Sequence, residues 1–243
     1  MLKARAWQPA KAIAKRAGLA CSAHNFKEFT MRLITILART LLLGLVAQAL
    51  VVSAEIAASS DKVRPLLIGQ PAPTASLQSI DGKTVSLAQV LAAKPAVVVF
   101  YRGGWCPYCN TQLSDLRKLV APLKAKGVAL IAISPDLPAE LFKNVEKSEL
   151  DYQLYSDTKV QAIEGFGIGF KLDAATLEKY ADYGIDLEKS SGEQHHVLPV
   201  PAVFVLDAAG KIQFQYVNPD YRVRVSSAVI LAAVDNMLAA KKR

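Results

Sequence analysis

Cys106 and Cys109 stand three residues apart in the run Val-Val-Val-Phe-Tyr-Arg-Gly-Gly-Trp-Cys-Pro-Tyr-Cys, residues 97–109. A Cys-x-x-Cys pair can cycle between dithiol and disulfide, provided one sulfur ionises near neutral pH. A free thiol titrates near ~8.5, and helix N-termini and neighbouring cations lower that to roughly 3.5–7.5. A drop of about two units is worth roughly 2.7 kcal/mol and makes most of the sulfur nucleophilic. As half of a zinc site the pair would need two further ligands. The third cysteine, Cys21, lies in an apparent leader. A purely structural bridge would close so short a loop that it removes little unfolded-state entropy. The spacing therefore points to redox chemistry.

The flanking residues say what must position the pair. Val97–Tyr101 is a β-branched and aromatic run of the kind that forms a strand buried on both faces. Gly103 and Gly104 end it. From Thr111 the apolar residues Leu113, Leu116, Leu119, Val120 and Leu123 recur at helical spacing, with Pro107 suited to the first turn. The cysteines thus fall at a strand-to-helix junction, where the helix dipole and free N–H groups favour a thiolate at Cys106. Three residues along the helix, Cys109 faces the same side and can close a disulfide with it.

The net charge of +8 over 243 residues does not indicate a nucleic-acid partner, because of where it lies. Residues 1–54 hold eight basic side chains and one acidic, leaving 21 basic against 20 acidic in the remainder. That excess belongs to a leader. Met31 opens a positive segment, Leu41–Val52 is an apolar run, and Ser53-Ala54 suits cleavage, so a signal peptide starting at Met31 is expected. The run is short for a membrane span. An uncleaved leader would serve as an anchor; a cleaved one would deliver the protein outside the cytoplasm. The expected organisation is a leader over 1–54, a linker over 55–64 and one domain over 65–243.

Along that domain, Leu77–Ile80 and Thr84–Leu87 read as a hairpin over Asp81-Gly82, and Ser86–Leu91 starts a short helix ended at Lys94-Pro95. The cysteine helix runs to about Lys126 with Gly127 capping it and Pro122 kinking it. Val128–Ile133 is a second buried strand, Pro138–Lys147 a helix and Tyr152–Tyr155 a short strand. Ser156-Asp157 should cap a helix from Thr158. Ala202–Leu206 and Lys211–Val217 form a hairpin, and Val223–Leu238 is a terminal helix. Strand, helix, strand, helix, strand implies a parallel sheet with right-handed crossovers. Residues 166–199 are the least patterned and are placed at the rim of the site, with Asp173–Tyr183 helical.

Four blocks in order resemble the thioredoxin superfamily and, more narrowly, the alkyl hydroperoxide reductase/thiol-specific antioxidant (peroxiredoxin-like) family. They are Ile68-Gly-Gln-Pro-Ala-Pro, Phe100-Tyr-Arg-Gly-Gly-Trp-Cys-Pro-Tyr-Cys, Ile131-Ala-Ile-Ser-Pro-Asp and Val200-Pro-Ala-Val-Phe-Val-Leu-Asp, the last followed by Tyr216-Val-Asn-Pro-Asp-Tyr. The resemblance implies an α/β thioredoxin-like fold, a central mixed sheet flanked by helices with an N-terminal hairpin and an insertion before the cis-proline strand. It makes Cys106 the attacking sulfur and Cys109 its resolving partner in a redox disulfide. Gly104, Trp105, Val200 and Pro201 become the substrate-facing loop, with a cis bond at Val200-Pro201. The implied activity is a peroxidase that needs no cofactor and no metal, takes hydrogen peroxide or an organic hydroperoxide, and is regenerated by a thioredoxin-like protein.

Two departures stand out. Peroxiredoxins of the main type carry Thr or Ser where this chain has Gly103, and arginine where it has Pro201. Arg102, Arg222 and Arg224 are the candidates to take their place, though each also reads as an ordinary solvated charge. Two other readings follow from the same residues. One is an extracytoplasmic protein-disulfide oxidoreductase. The other is a copper or haem assembly factor using the cysteines with His195 or His196.

Overall fold

The computed structural model describes residues 56–240. The leader expected over 1–54, whether cleaved or retained as an anchor, lies outside the described residues.

The strand before the cysteines, β3 (Ala96–Phe100), is buried at every position. It sits between β4 (Ala129–Ser134) and β8 (Ala202–Leu206), parallel to the first and antiparallel to the second. With β1 (Ser76–Ser79), β2 (Thr84–Ser86), β5 (Gln153–Ser156) and β9 (Ile212–Val217) they make a seven-stranded mixed sheet, ordered β2-β1-β5-β4-β3-β8-β9. The parallel core β3-β4-β5 matches the expectation from strand–helix alternation. The two hairpins supply the antiparallel edges.

Alternation along β3 separates two apolar layers. Ala96, Val98 and Phe100 face Phe166, Phe204 and Ile163, with Leu87 and Leu91 of α1 (Leu87–Leu91). Phe100, Phe166 and Phe204 pack ring against ring at 4.6–6.0 Å. Val97, Val99 and Tyr101 face the other way, under Cys109, Leu113 and Leu116 of α2 (Pro107–Ala125). Leu141 of α3 (Pro138–Ser148) and Ile230 and Val234 of α7 (Ser227–Ala240) complete that layer.

Local chemistry sets the ends of the helices. Ser86 and Gln89 form a capping box at α1. At the end of α2, Val128 N–H donates to Leu123 O and Gly127 N–H to Lys124 O, a Schellman closure with Gly127 at φ +68°. The helix runs through Pro122.

Three expectations shift. The helix after β5 begins at Gln161 (α4, Gln161–Gly165), because Val160 adopts a left-handed φ of +51° that breaks helical propagation. The Asp157 carboxylate reaches forward to accept from Ile163 N–H at 2.9 Å. The terminal helix begins at Ser227, after a segment from which Arg224 reaches back to donate to Cys109 Sγ. Residues 166–199 are ordered as β6 (Gly169–Lys171), α5 (Ala174–Asp182), α6 (Leu187–Ser191) and β7 (Val197–Pro199), the two strands forming a separate antiparallel ribbon. Asp173 and Asp186 cap the two helices. Residues 56–64 lie against this ribbon, with Ala57 N–H donating to Gly169 O and Arg64 N–H to Gly167 O.

Candidate active site

Cys106 is the N-cap of α2, with extended backbone (φ −90°, ψ 115°), and Pro107 follows it in the first turn. The loop before it is tied at three points. Gly104 N–H donates to Asp136 Oδ2 at 2.8 Å, Asn110 Nδ2 donates to Gly104 O at 2.8 Å, and Cys106 N–H donates to Gly103 O at 3.2 Å. Both cysteines are free thiols, Cys106 2% exposed and Cys109 fully buried.

The two sulfurs are electrostatically unequal. The Cys109 S–H donates to Cys106, and this is the largest influence holding the Cys106 thiol down at about 6, from an ordinary 9.0. Burial opposes it; the Cys109 backbone N–H, Arg102 and Arg224 add to it. Cys109 goes the other way: burial pushes its thiol well up, and the bond it donates to Cys106 adds to that. One sulfur is a nucleophile at neutral pH and the other keeps its proton.

Two arginines border the pair. Arg224 Nη2 donates to Cys109 Sγ at 3.3 Å, while Nη1 donates to Gln112 Oε1 at 2.6 Å. Arg102 is only 4% exposed. Its guanidinium lies 4.4 Å from the Tyr221 ring centre, 5.3 Å from Trp105 and 5.5 Å from Tyr180, and it donates to the Tyr180 hydroxyl. The reading of Arg102 and Arg224 as solvated charges is therefore overturned, because both are turned inward by contacts distant in sequence. For Arg222 it holds: that side chain is exposed and paired with Asp220.

Gly103 explains its own departure from the peroxiredoxin pattern. Its φ is +154°, and a Cβ there would sit 2.2 Å from Trp105 Nε1 and 2.8 Å from Asp136 Oδ1. At Gly104 a Cβ would meet Asn144 at 2.9 Å. The indole and the buried carboxyl occupy the space a threonine would need. Asp136 is 2% exposed, and burial raises its pKa to about 7.

Val200 and Pro201 line a cavity of about 230 Å³ that Arg102 and Tyr221 also border. Gly104 and Trp105 border a second cleft, of about 180 Å³, with Asp136 and Asn144. The expected cis bond at Val200–Pro201 is not found: among the described residues no peptide bond is cis. Val200 N–H donates to Ile168 O and Pro201 O accepts from Asn218 N–H, and the chain bends at Pro201 as it leaves β7 of the ribbon for β8 of the main sheet. A trans bond is the lower-energy form there.

The histidines of the metal-carrier reading are occupied locally. His195 Nδ1 accepts from Val197 N–H, which leaves Nε2 to donate to Thr158 O at 3.0 Å. His196 Nε2 lies 2.9 Å from Glu188. Neither is brought into hydrogen-bond contact with the cysteines, and that reading gains no support. Asp136, Tyr180 and Gln112 were missed as site residues by the sequence. Only Asp136 had a signal, in the Ser134-Pro135-Asp136 block that closes β4.

A thioredoxin-like sheet with a low-pKa thiol at a helix start and a protonated thiol three residues on defines a thiol oxidoreductase. The AhpC/TSA family profile matches residues 68–215, and the chain belongs to that family. It is 36% identical over 106 residues to the peroxiredoxin Bcp of Escherichia coli (strain K12), covering 44% of this chain and 67% of that protein. With the chloroplastic peroxiredoxin Q of Populus jackii it shares 29% over 150 residues, 62% of this chain and 60% of that one. Among solved structures, the peroxidoxin BcpB of Mycobacterium tuberculosis has a TM-score of 0.54 at 20% identity, covering 70% of this chain and 96% of that chain. The peroxiredoxin 6 of Arenicola marina has a TM-score of 0.60 at 18% identity, covering 73% and 76%. These two support the fold, which is that of a thioredoxin-superfamily, peroxiredoxin-like protein.

Proposed function

We propose that Cys106 and Cys109 run a thiol peroxidase cycle on hydrogen peroxide or an organic hydroperoxide. The Cys106 thiolate attacks the terminal peroxide oxygen; the O–O bond breaks, an S–O bond forms, and the departing alkoxide or hydroxide takes up a proton. Cys106 is then a sulfenic acid. Cys109 attacks that sulfur, an S–S bond forms, and the hydroxyl leaves as water with the Cys109 proton. A thioredoxin-like dithiol protein exchanges with the disulfide and restores both thiols.

The observation that carries this reading is the division of labour between the sulfurs, with Cys106 ionised near pH 6 and Cys109 held protonated beside it. Peroxiredoxins usually polarise the peroxide with a threonine and an arginine. Here the charges of Arg102 and Arg224 and the Cys109 backbone N–H act on Cys106 instead. The composition of residues 1–54 supports a protein that works outside the cytoplasm, released or anchored by an uncleaved leader, with a partner supplying the reducing equivalents.

The test is peroxide consumption by the reduced protein with a thioredoxin and its reductase. Wild type turns over, Cys106→Ser does not, and Cys109→Ser completes one turnover and stops at the sulfenic acid. Wild-type protein that leaves both hydrogen peroxide and cumene hydroperoxide unconsumed overturns the reading.

A further inference from the structure

Arg102 is a buried cation without a carboxylate: among the described residues no Asp or Glu forms an ion pair with it, and its Nε has no hydrogen-bond partner. Cation–π contacts are worth ~0.5–2 kcal/mol each, while an uncompensated buried charge costs several. The negative charge that Arg102 meets is that of the Cys106 thiolate, since Cys109 keeps its proton. That charge lasts only while Cys106 is a thiolate. Closing the disulfide removes it and leaves Arg102 and Arg224 facing a neutral sulfur pair.

Arg102 also borders the cavity of about 230 Å³ between the inserted ribbon and the strand β8 loop. Phe170, Tyr180, Pro201 and Tyr221 give it aromatic and apolar walls, Lys171 adds a second cation, and Ser59, Thr176 and the Asp173 carboxylate complete a polar side. A cavity of this size and lining suits a small apolar body carrying one negative charge.

We propose that this cavity binds a small organic anion, a carboxylate or sulfonate on an apolar or aromatic body, in competition with the Cys106 thiolate for Arg102. The anion binds when Cys106 is uncharged, whether as disulfide or thiol, and is expelled when Cys106 is ionised. By linkage, a bound anion favours the oxidised pair by the factor that oxidation favours the anion. The redox arm rests on the thiol cycle above; the charge argument does not.

The groups facing Arg102 are Cys106, Cys109, Tyr180, Tyr221 and Arg224, with Lys171 and Asp173 lining the cavity and Asp136 beyond Trp105. Working at one fixed pH keeps Asp136 constant across the comparison.

Benzenesulfonate, anionic throughout the working range, is titrated calorimetrically at pH 8 into full-length protein in three states: reduced wild type, oxidised wild type and Cys106→Ser. The oxidised protein and Cys106→Ser bind at least about tenfold more tightly than reduced wild type, equivalent to ~1.4 kcal/mol. In the Cys106→Ser background, Arg102→Met abolishes binding. So does Thr176→Trp, which fills the cavity from α5 without removing Arg102. Equal affinity in all three states, or binding that survives both cavity variants, overturns the proposal. An oxidised sample that retains both thiols by thiol counting sinks the peroxidase cycle and the redox arm together. The serine variant then still decides whether the site answers to the Cys106 charge.

Discussion

Arg224 and Cys109 are 115 residues apart in the chain, yet the guanidinium donates to the sulfur at 3.3 Å. The contact exists because residues 221–224 turn back over the start of α2 before α7 begins, and Gln112 fixes the fork from the other side. In the proposed cycle Arg224 positions and stabilises the thiol that ionises during disulfide closure.

Replacing it by methionine should slow closure more than peroxide attack. One pKa unit on Cys109 corresponds to a loss of about tenfold in that step. Rapid-quench trapping of the Cys106 sulfenic acid would show a longer-lived intermediate in Arg224→Met with its rate of formation changed less. Equal slowing of both steps would contradict the assignment.

Installing the threonine that peroxiredoxins usually carry should damage this protein. Gly103→Thr must adopt a φ of +154° and push a Cβ into the Trp105 indole and the Asp136 carboxyl. A cost of about 2–4 kcal/mol in urea unfolding is expected, from backbone strain and overpacking together. Peroxidase activity should fall. A variant as stable and as active as wild type would show that the loop is not packed as described.

Asp136 gives the fold a pH signature. Its pKa is raised to about 7 from 3.8, so its contribution to stability is full below pH ~4 and is lost as pH rises through 7. Asp157, also pushed up to about 7 by burial, acts in the same direction. Cys106 acts oppositely: depressed to about 6, its contribution is present above ~9 and lost as pH falls through 6. Unfolding midpoints between pH 4.5 and 7 should therefore fall more steeply for wild type than for Asp136→Asn, by up to about 1.4 kcal/mol per pH unit. Parallel curves would remove Asp136 from this role.

Much of the fold was legible because its signals are local. The unbroken apolar run of β3, the spacing of Leu113, Leu116 and Leu119, and the Asp-Gly and Gly127 punctuation each act within a few residues. The cysteines were legible for the same reason. What stayed hidden depends on contacts between distant segments. Nothing near Arg102 announces that Tyr180 and Tyr221 will enclose it, and nothing near Arg224 announces Gln112. Val160 breaks its helix with a left-handed backbone that its β-branched side chain gives no reason to expect. The cis bond expected at Pro201 came from family likeness, and among the described residues no peptide bond is cis.

Ionisation of Cys106 is what the proposed chemistry requires, and alkylation measures it directly. Iodoacetamide modification of the reduced protein, read at the Cys106 peptide by mass spectrometry from pH 4 to 10, should follow a midpoint of about 6. In Cys109→Ala, which removes the largest donor to that sulfur, the midpoint should move upward. A wild-type midpoint near ~8.5, the value of an unperturbed cysteine, would contradict the proposed chemistry.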